Sequence, residues 1–249
     1  FTAKYWMRAK EFIELEEGWK DWVAGAAIGA AALGAGHADA KASDHANKPS
    51  VARVHQKHVV DPQSTKVQPL VHVKKVDPQT AYNILWREAV KSGMKDPHEL
   101  AQFLAQCSAE TGQFKHMGEI GRPKQLSKKY KNSTGNEGKK DALKYVGRGF
   151  IQLTGKGNYI DAGKDLHGDG NHYVKNPDLA ADAEEAAKIA VWFWNKNVKP
   201  RVKDFTDTAA VTRAINGSMA PKLEIHKRHN IFGSYLASVK DYLSKTKKV

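Results

Sequence analysis

The sequence predicts a mainly α-helical domain with few short strands, preceded by an N-terminal helical and apolar segment and a linker. Three observations carry this reading. From about residue 79 onward, apolar residues recur at helical spacing between recognisable capping residues. Strand signals are sparse, and "YVGRGFIQLTG" (145–155) is the best candidate for a short strand or an extended loop. A 249-residue chain with 41% hydrophobic residues and six tryptophans can build one sizeable core plus an appendage.

Taken in order, residues 1–22 place Tyr5, Trp6, Ala9, Phe12, Ile13, Trp19 and Trp22 at near-helical spacing with charges between them, predicting an amphipathic helix. The Gly/Ala-rich run Val23–Gly36 follows; it is shorter than the roughly 20 apolar residues of a membrane span. With Ala38-Asp39-Ala40 it has the outline of an export signal, although Glu11, Glu14, Glu16, Glu17 and Asp21 precede it in place of a positive leader. A targeting or membrane-active segment, an assembly helix packed through Gly25 and Gly29, and a disordered tail all fit. Residues 41–78 mix Lys, His, Val and Pro without periodicity and are predicted to be a basic linker. His55 and His58 lack a Cys or acidic partner, and no metal or cofactor site is assigned from the sequence.

The helical domain is predicted to span 79–249. In "TAYNILWREAVKSG" a stripe of Tyr82, Leu85, Trp86, Ala89 and Val90 ends at Gly93. In "DPHELAQFLAQCSAE" Asp96 is the predicted N-cap, Pro97 the first helical residue and Glu99 the partner completing a capping box. Further helices are predicted over 178–197, 207–215 and 221–243. This domain holds 29 Lys and Arg against 18 Asp and Glu, a net +11 out of the chain's +13. Such a surface favours polyanions: nucleic acid, anionic membrane or a phosphate-rich bacterial wall. Basic residues are not clustered with exposed aromatics in any one stretch, which argues against a specific nucleic-acid partner. The single cysteine, Cys107, excludes an internal disulfide and reads as an inert core thiol.

"AQFLAQCSAETGQF" (101–114) sets Glu110 over the stripe of Leu100, Phe103, Leu104 and Cys107. Burial and the negative helix terminus favour a protonated carboxyl there, as a glycosidase acid requires. A helix-terminal Glu paired with a Lys or Arg is the alternative. Glu119, in the glycine-flanked "KHMGEIG", reads as a hydrated loop carboxylate suited to a general base or as ordinary surface. In "YVGRGFIQLTGKGNY" (145–159) four glycines allow close backbone approach, and Gln152, Thr154 and Asn158 offer uncharged hydrogen-bonding groups for sugar or for a held water. A phosphate loop would need a Gly-Lys-Ser/Thr ending that is missing. Arg148 is expected either to pair with Glu110 or to lock the glycine turn. Trp192, Phe193 and Trp194 read as core or as a sugar-stacking platform.

Four segments, "FLAQCSAETGQF", "GRGFIQLTGKGNY", "NPDLAADAEEAAKIAVWFW" and "VTRAING", occur in an order that resembles glycoside hydrolase family 19, and the endolysin-like bacteriophage and prophage branch more than the plant chitinases. The resemblance spans about 79–245. It implies a lysozyme-like helical fold with a cleft and an inverting mechanism on two carboxylates. By the same resemblance Glu110 is the general acid and Glu119 the general base, with Thr154 holding the attacking water. Gln152, Asn158, Tyr159, Arg148 and Asn216 would then contact substrate. Ala109 stands where many relatives have His, and "INGS" replaces the commoner Asn-Gly-Gly. The implied function is peptidoglycan cleavage at β-1,4 bonds by a monomeric enzyme of the host wall or virion. Chitinase, lytic transglycosylase and a non-catalytic wall-binding or virion protein are the rivals.

Overall fold

The computed structural model describes residues 60–73, 75–216 and 222–246. The predicted amphipathic helix, the apolar run and the first part of the linker, with His55 and His58, lie outside the described residues.

The fold is mainly helical and is organised around one helix. α1 (Pro78–Lys91) starts where Asp77 Oδ1 accepts the amides of Gln79 and Thr80. It buries Ala81, Leu85 and Ala89, while Val90 points outward, off the expected stripe. α2 (Pro97–Glu110) is the centre. Leu100, Ala101, Phe103, Leu104, Ala105 and Cys107 are all fully buried, and so are Gln102 and Gln106. A helix covered on every side must find partners for its polar residues inside the protein. Asp96 caps it as expected, accepting the Glu99 amide at 2.7 Å. Glu99 does not complete the capping box: its buried carboxylate instead accepts from Trp194 Nε1 and Lys199 Nζ, both at 3.2 Å. Burial pushes the Cys107 thiol far up, in keeping with an inert core position.

Around α2 lie α3 (Pro123–Tyr130), α4 (Lys139–Lys144), α5 (Lys156–His167), α6 (His172–Lys175), α7 (Ala183–Phe193), α8 (Thr208–Asn216) and α9 (Lys222–Thr246). The long α9 packs along α2, and α1 lies against α7. The single helix expected over 178–197 is divided. Asp182 takes an extended conformation (ψ 135°) and caps α7 by accepting the Glu184 and Glu185 amides, so Pro177–Ala181 forms a separate 3-10 turn. Trp194 is fully buried, edge-on to Phe103, and Trp192 is tied to Asp165 at 2.8 Å. These two therefore serve packing.

Part of the predicted linker belongs to the domain. β1 (Gln68–Pro69) pairs antiparallel with β2 (Ile120–Gly121). Leu70 and Val71 are buried against Leu126, Val146 and Ala181, and Lys124 N donates to Ser64 O at 3.1 Å. The Val71 side chain fills the space beside Gly118, where an added methyl would lie 2.4 Å from Val71 Cβ.

Burying Leu70 and Val71 is worth roughly 1.5–3 kcal/mol each. A chain beginning at residue 75 should therefore melt several degrees below one beginning at residue 60, read by calorimetry; equal melting temperatures would place the strap outside the folded unit. At another corner, burial alone would raise the Glu185 carboxyl, but hydrogen bonds from Lys188, Tyr173 and His167 outweigh it and hold it at about 2. A depressed carboxyl stabilises the fold above its unfolded value, near 4.5, and loses that contribution as pH falls toward 2. Between pH 4.5 and 2, Glu185→Gln should lose stability less steeply than the parent chain; parallel curves would refute the coupling.

Candidate active site

Two carboxylates stand on different kinds of support. Glu110 is the last residue of α2, its side chain 11% exposed. Arg228, from α9, donates through Nη2 to Glu110 Oε1 at 2.7 Å. The other arm, Nη1, donates to Gln106 Oε1 at 2.5 Å. Gln106 Nε2 reaches Gln102 Oε1 at 3.4 Å and Thr212 Oγ1 at 3.1 Å, and Gln102 Nε2 donates to Thr208 Oγ1 at 2.8 Å. Thr208 Oγ1 also lies 3.1 Å from His229 Nδ1. Of the two readings of Glu110, the structure shows the pairing one: at the helix terminus it is bonded to an arginine, and it also ends a buried polar row. Arg228, Gln106, Gln102, Thr208 and Thr212 were not singled out from the sequence. For the two glutamines the signal was there, since Gln102, Gln106 and Glu110 recur at i, i+4 and i+8 on one helix.

The turn after Glu110 is left-handed. Gly112, Gln113 and Phe114 have φ of 57°, 61° and 64°. Thr111 makes this workable: its hydroxyl donates to Cys107 O at 2.7 Å and accepts from Phe114 N at 3.0 Å. Non-glycine residues in this conformation cost roughly 1–2 kcal/mol each, and backbone strain of this kind gathers at functional sites.

Glu119 is not the hydrated loop carboxylate expected; it is 3% exposed. The backbone on both sides fixes it, its amide donating to Gly147 O at 2.8 Å and its carbonyl accepting from Leu70 N at 2.9 Å. Gly147 explains why glycine is needed at that position. A methyl there would sit 2.7 Å from Gln152 Oε1, 2.8 Å from Glu119 Oε2 and 3.4 Å from Thr154 Oγ1. Glu119, Gln152 and Thr154 thus face one point. The segment 145–155 is neither a regular strand nor an open loop: Arg148 bridges both Gly118 and Leu153, closing a tight turn. Within it Gln152 sits at φ 52° and donates from Nε2 to Gly149 O. Thr154 Oγ1 donates to Gln152 O at 2.8 Å. Asn158 lies on the first turn of α5, with Nδ2 donating to Thr154 O at 2.8 Å.

Two predicted substrate contacts are corrected. Tyr159 is fully buried, its hydroxyl donating to Val146 O at 2.7 Å and accepting from Arg148 Nη1 at 3.0 Å. Burial pushes its phenol up to about 12, with Arg148 pulling the other way. Arg148 does not pair with Glu110. It is 4% exposed and bonds Asp178 Oδ1 through Nε and Nη2, and the Lys144 and Val146 carbonyls through Nη1. Both residues hold the turn from behind. Asn216 is exposed at the end of α8. A depression of about 420 Å³ lined by Thr206, Asp207, Ala209, Ile225, His226 and His229 opens at the far end of the glutamine row from Glu110.

Replacing Gln106 by Leu would leave buried Arg228 and Gln102 without their shared partner. An unsatisfied buried polar group costs about 1–3 kcal/mol, so the urea midpoint should fall by a corresponding amount. A loss under about 0.5 kcal/mol, the range of an ordinary surface substitution, would show the row is not a satisfied network.

Residues 91–213 match the glycoside hydrolase family 19 model, described as chitinase class I. An endochitinase of Arabidopsis thaliana is 39% identical over 52% of this chain and 43% of its own length. A glycosyl hydrolase family 19 domain-containing protein of Haemophilus influenzae is 29% identical over 55% of this chain and 80% of that relative. The crystal structure of a family GH19 class IV chitinase from Zea mays, 24% identical, overlaps 68% of this chain and 82% of that one with a TM-score of 0.47. The chain spans less than half the length of the plant relatives it matches first. Both carboxylates and the whole 145–159 turn fall inside the segment that matches this family model.

Proposed function

We propose that this domain is an inverting glycoside hydrolase that cuts β-1,4 bonds of bacterial peptidoglycan, as an endolysin or virion-borne lysin does. The observation that carries the reaction type is the arrangement of Glu119, Gln152 and Thr154 around Gly147, with Glu110 held by Arg228. In this reading Glu110 is the general acid. Arg228 occupies Oε1, which leaves Oε2 to deliver a proton to the leaving glycosidic oxygen, and the guanidinium compensates the carboxylate that results. Glu119 is the general base. Thr154 donates its own hydrogen bond to Gln152 O, which leaves its lone pairs to accept a hydrogen bond from the O–H that the attacking water keeps. The other water proton goes to Glu119 as the water oxygen attacks the anomeric carbon. An inverting site needs the two carboxyl groups roughly 6.5–9.5 Å apart to admit that water. Gln152 and Asn158 contact the sugar beside the bond, with Asn216 at the edge.

Peptidoglycan is favoured by charge. The helical domain carries net +11, and bacterial walls are rich in phosphate and carboxylate whereas chitin is neutral, so long-range attraction acts only on the former. Residues 1–40 would deliver the enzyme to membrane or virion. Chitin is the second reading, because similar proteins of Arabidopsis thaliana and Zea mays are named endochitinases.

The test is mass spectrometry of peptidoglycan and chitin-oligosaccharide digests by the parent chain and by Glu110→Gln. Muropeptides with reducing ends, inverted anomers by NMR and a loss of at least about 10²-fold in the folded variant are expected. Anhydro ends would mean transglycosylation, chitin products alone would replace the substrate, and no products from either would leave a binding role.

A further inference from the structure

Away from both carboxylates, three metal-competent side chains meet where α5, α6 and α7 converge. His167 ends α5, His172 begins α6 and Glu185 lies in the first turn of α7. One donor atom from each lies within 4.8 Å of the others. His167 Nε2 is 2.9 Å from Glu185 Oε2, and the two imidazoles lie face to face with centroids 3.8 Å apart.

The convergence is built by the backbone. The turn Gly168–Asn171 is held by Asp169 N donating to Gly163 O and His172 N to Asp169 O. Gly163 leaves room for nothing else, since a methyl there would lie 2.5 Å from Asp169 O. From beneath, fully buried Tyr173 donates its hydroxyl to Glu185 Oε2 at 2.6 Å, and Lys188 Nζ holds Oε1 at 2.7 Å. The carboxylate is therefore oriented by outer partners, as ligating carboxylates are, and presents one oxygen to the histidines. His167 is exposed and His172 and Glu185 are half-buried.

We propose that His167, His172 and Glu185 form a binding site for a divalent transition metal, with Zn²⁺ as the physiological class. Two imidazoles and one carboxylate suit a borderline cation rather than Mg²⁺ or Ca²⁺, which seek oxygen-only shells. Ligand bonds of about 2.0–2.2 Å require the metal to replace the direct His167–Glu185 hydrogen bond and draw the His172 ring inward. Tyr173 then supports the bound carboxylate, and solvent completes the shell. The bound ion would cross-link the end of α5 to α7. Nothing in this site touches Glu110 or Glu119, so its role is structural.

The test is thermal denaturation of the full chain with ZnCl₂ or MgCl₂. Zn²⁺ in about hundredfold excess over its dissociation constant should raise the melting temperature by several degrees, and Mg²⁺ should not. His172→Gln spares the His167–Tyr173–Glu185 hydrogen bonds and should abolish the rise. The double replacement His55→Gln, His58→Gln should leave the rise intact. In the unmodified chain, Zn²⁺ should also shift the ring-proton NMR signals of His167 and His172, a readout independent of any variant's folding. No rise with Zn²⁺, an undiminished rise in His172→Gln, or unmoved His167 and His172 signals would each overturn the site.

Discussion

The ion pair between Glu110 and Arg228 is the constraint on which the rest of the domain turns. α2 is buried along most of its length, and its C-terminal carboxylate keeps only 11% exposure. Arg228 supplies the compensating charge from α9, the helix packed most closely along α2. Removing charged groups from water offsets much of what their attraction returns. Breaking such a pair by deleting one partner costs roughly 3–5 kcal/mol. The pair ties α9 to the C-terminal end of α2. The glutamine row behind it extends the same logic: Gln106 and Gln102 pass the hydrogen bonding to Thr212 and Thr208 on α8. Three helices are keyed to one another by a single polar row.

Glu119 is held by an opposite strategy. No helix carries it; two backbone hydrogen bonds do, one from Leu70 in the N-terminal strap and one to Gly147 in the turn. The strap thus matters to the site through its backbone. Arg148 reinforces the turn from behind by joining Asp178, Tyr159 and two carbonyls. Gly149 shows how tightly this is packed: at φ 73°, a methyl there would lie 2.6 Å from Ala180 O. A buried arginine and a buried tyrosine spend their polar groups on holding a loop whose front carries Gln152 and Thr154.

What the sequence made legible followed from local rules. The Asp96 cap, the buried stripe of α2 and the helices near 208 and 222 obey periodicity and capping, which short stretches encode. The helix limits at 178–197 failed because Asp182 reads as one more polar residue until its backbone is seen to be extended. Residues 60–73 read as linker because a two-residue strand and two buried side chains leave almost no periodic trace. Glu110, Gln152 and Thr154 stood out by spacing and residue type, and the roles expected of them and of Glu119 rested on motif order. Arg228 is 118 residues from Glu110 in the chain, and no spacing rule connects them. Tyr159 and Arg148 sat in the right motif yet face inward, because a segment that bends sharply sends neighbouring residues to opposite sides.

The left-handed turn after Glu110 reconciles these two supports. A right-handed continuation would carry the chain onward along the axis of α2. With Gly112, Gln113 and Phe114 at positive φ it doubles back instead, and Met117 O can accept from Gly149 N at 2.8 Å. Two of those residues are not glycine, so the reversal costs on the order of 2–4 kcal/mol. Burial of Phe114 against Phe150 and Tyr82, with ring centroids 5.9 and 6.0 Å away, offsets most of it. The aromatic contact thus lies between the helix that ends in Glu110 and the turn that holds Glu119. A change at Phe114 or Phe150 would act on both carboxylates at once without touching either, because the strained connection persists only while its packing compensates it.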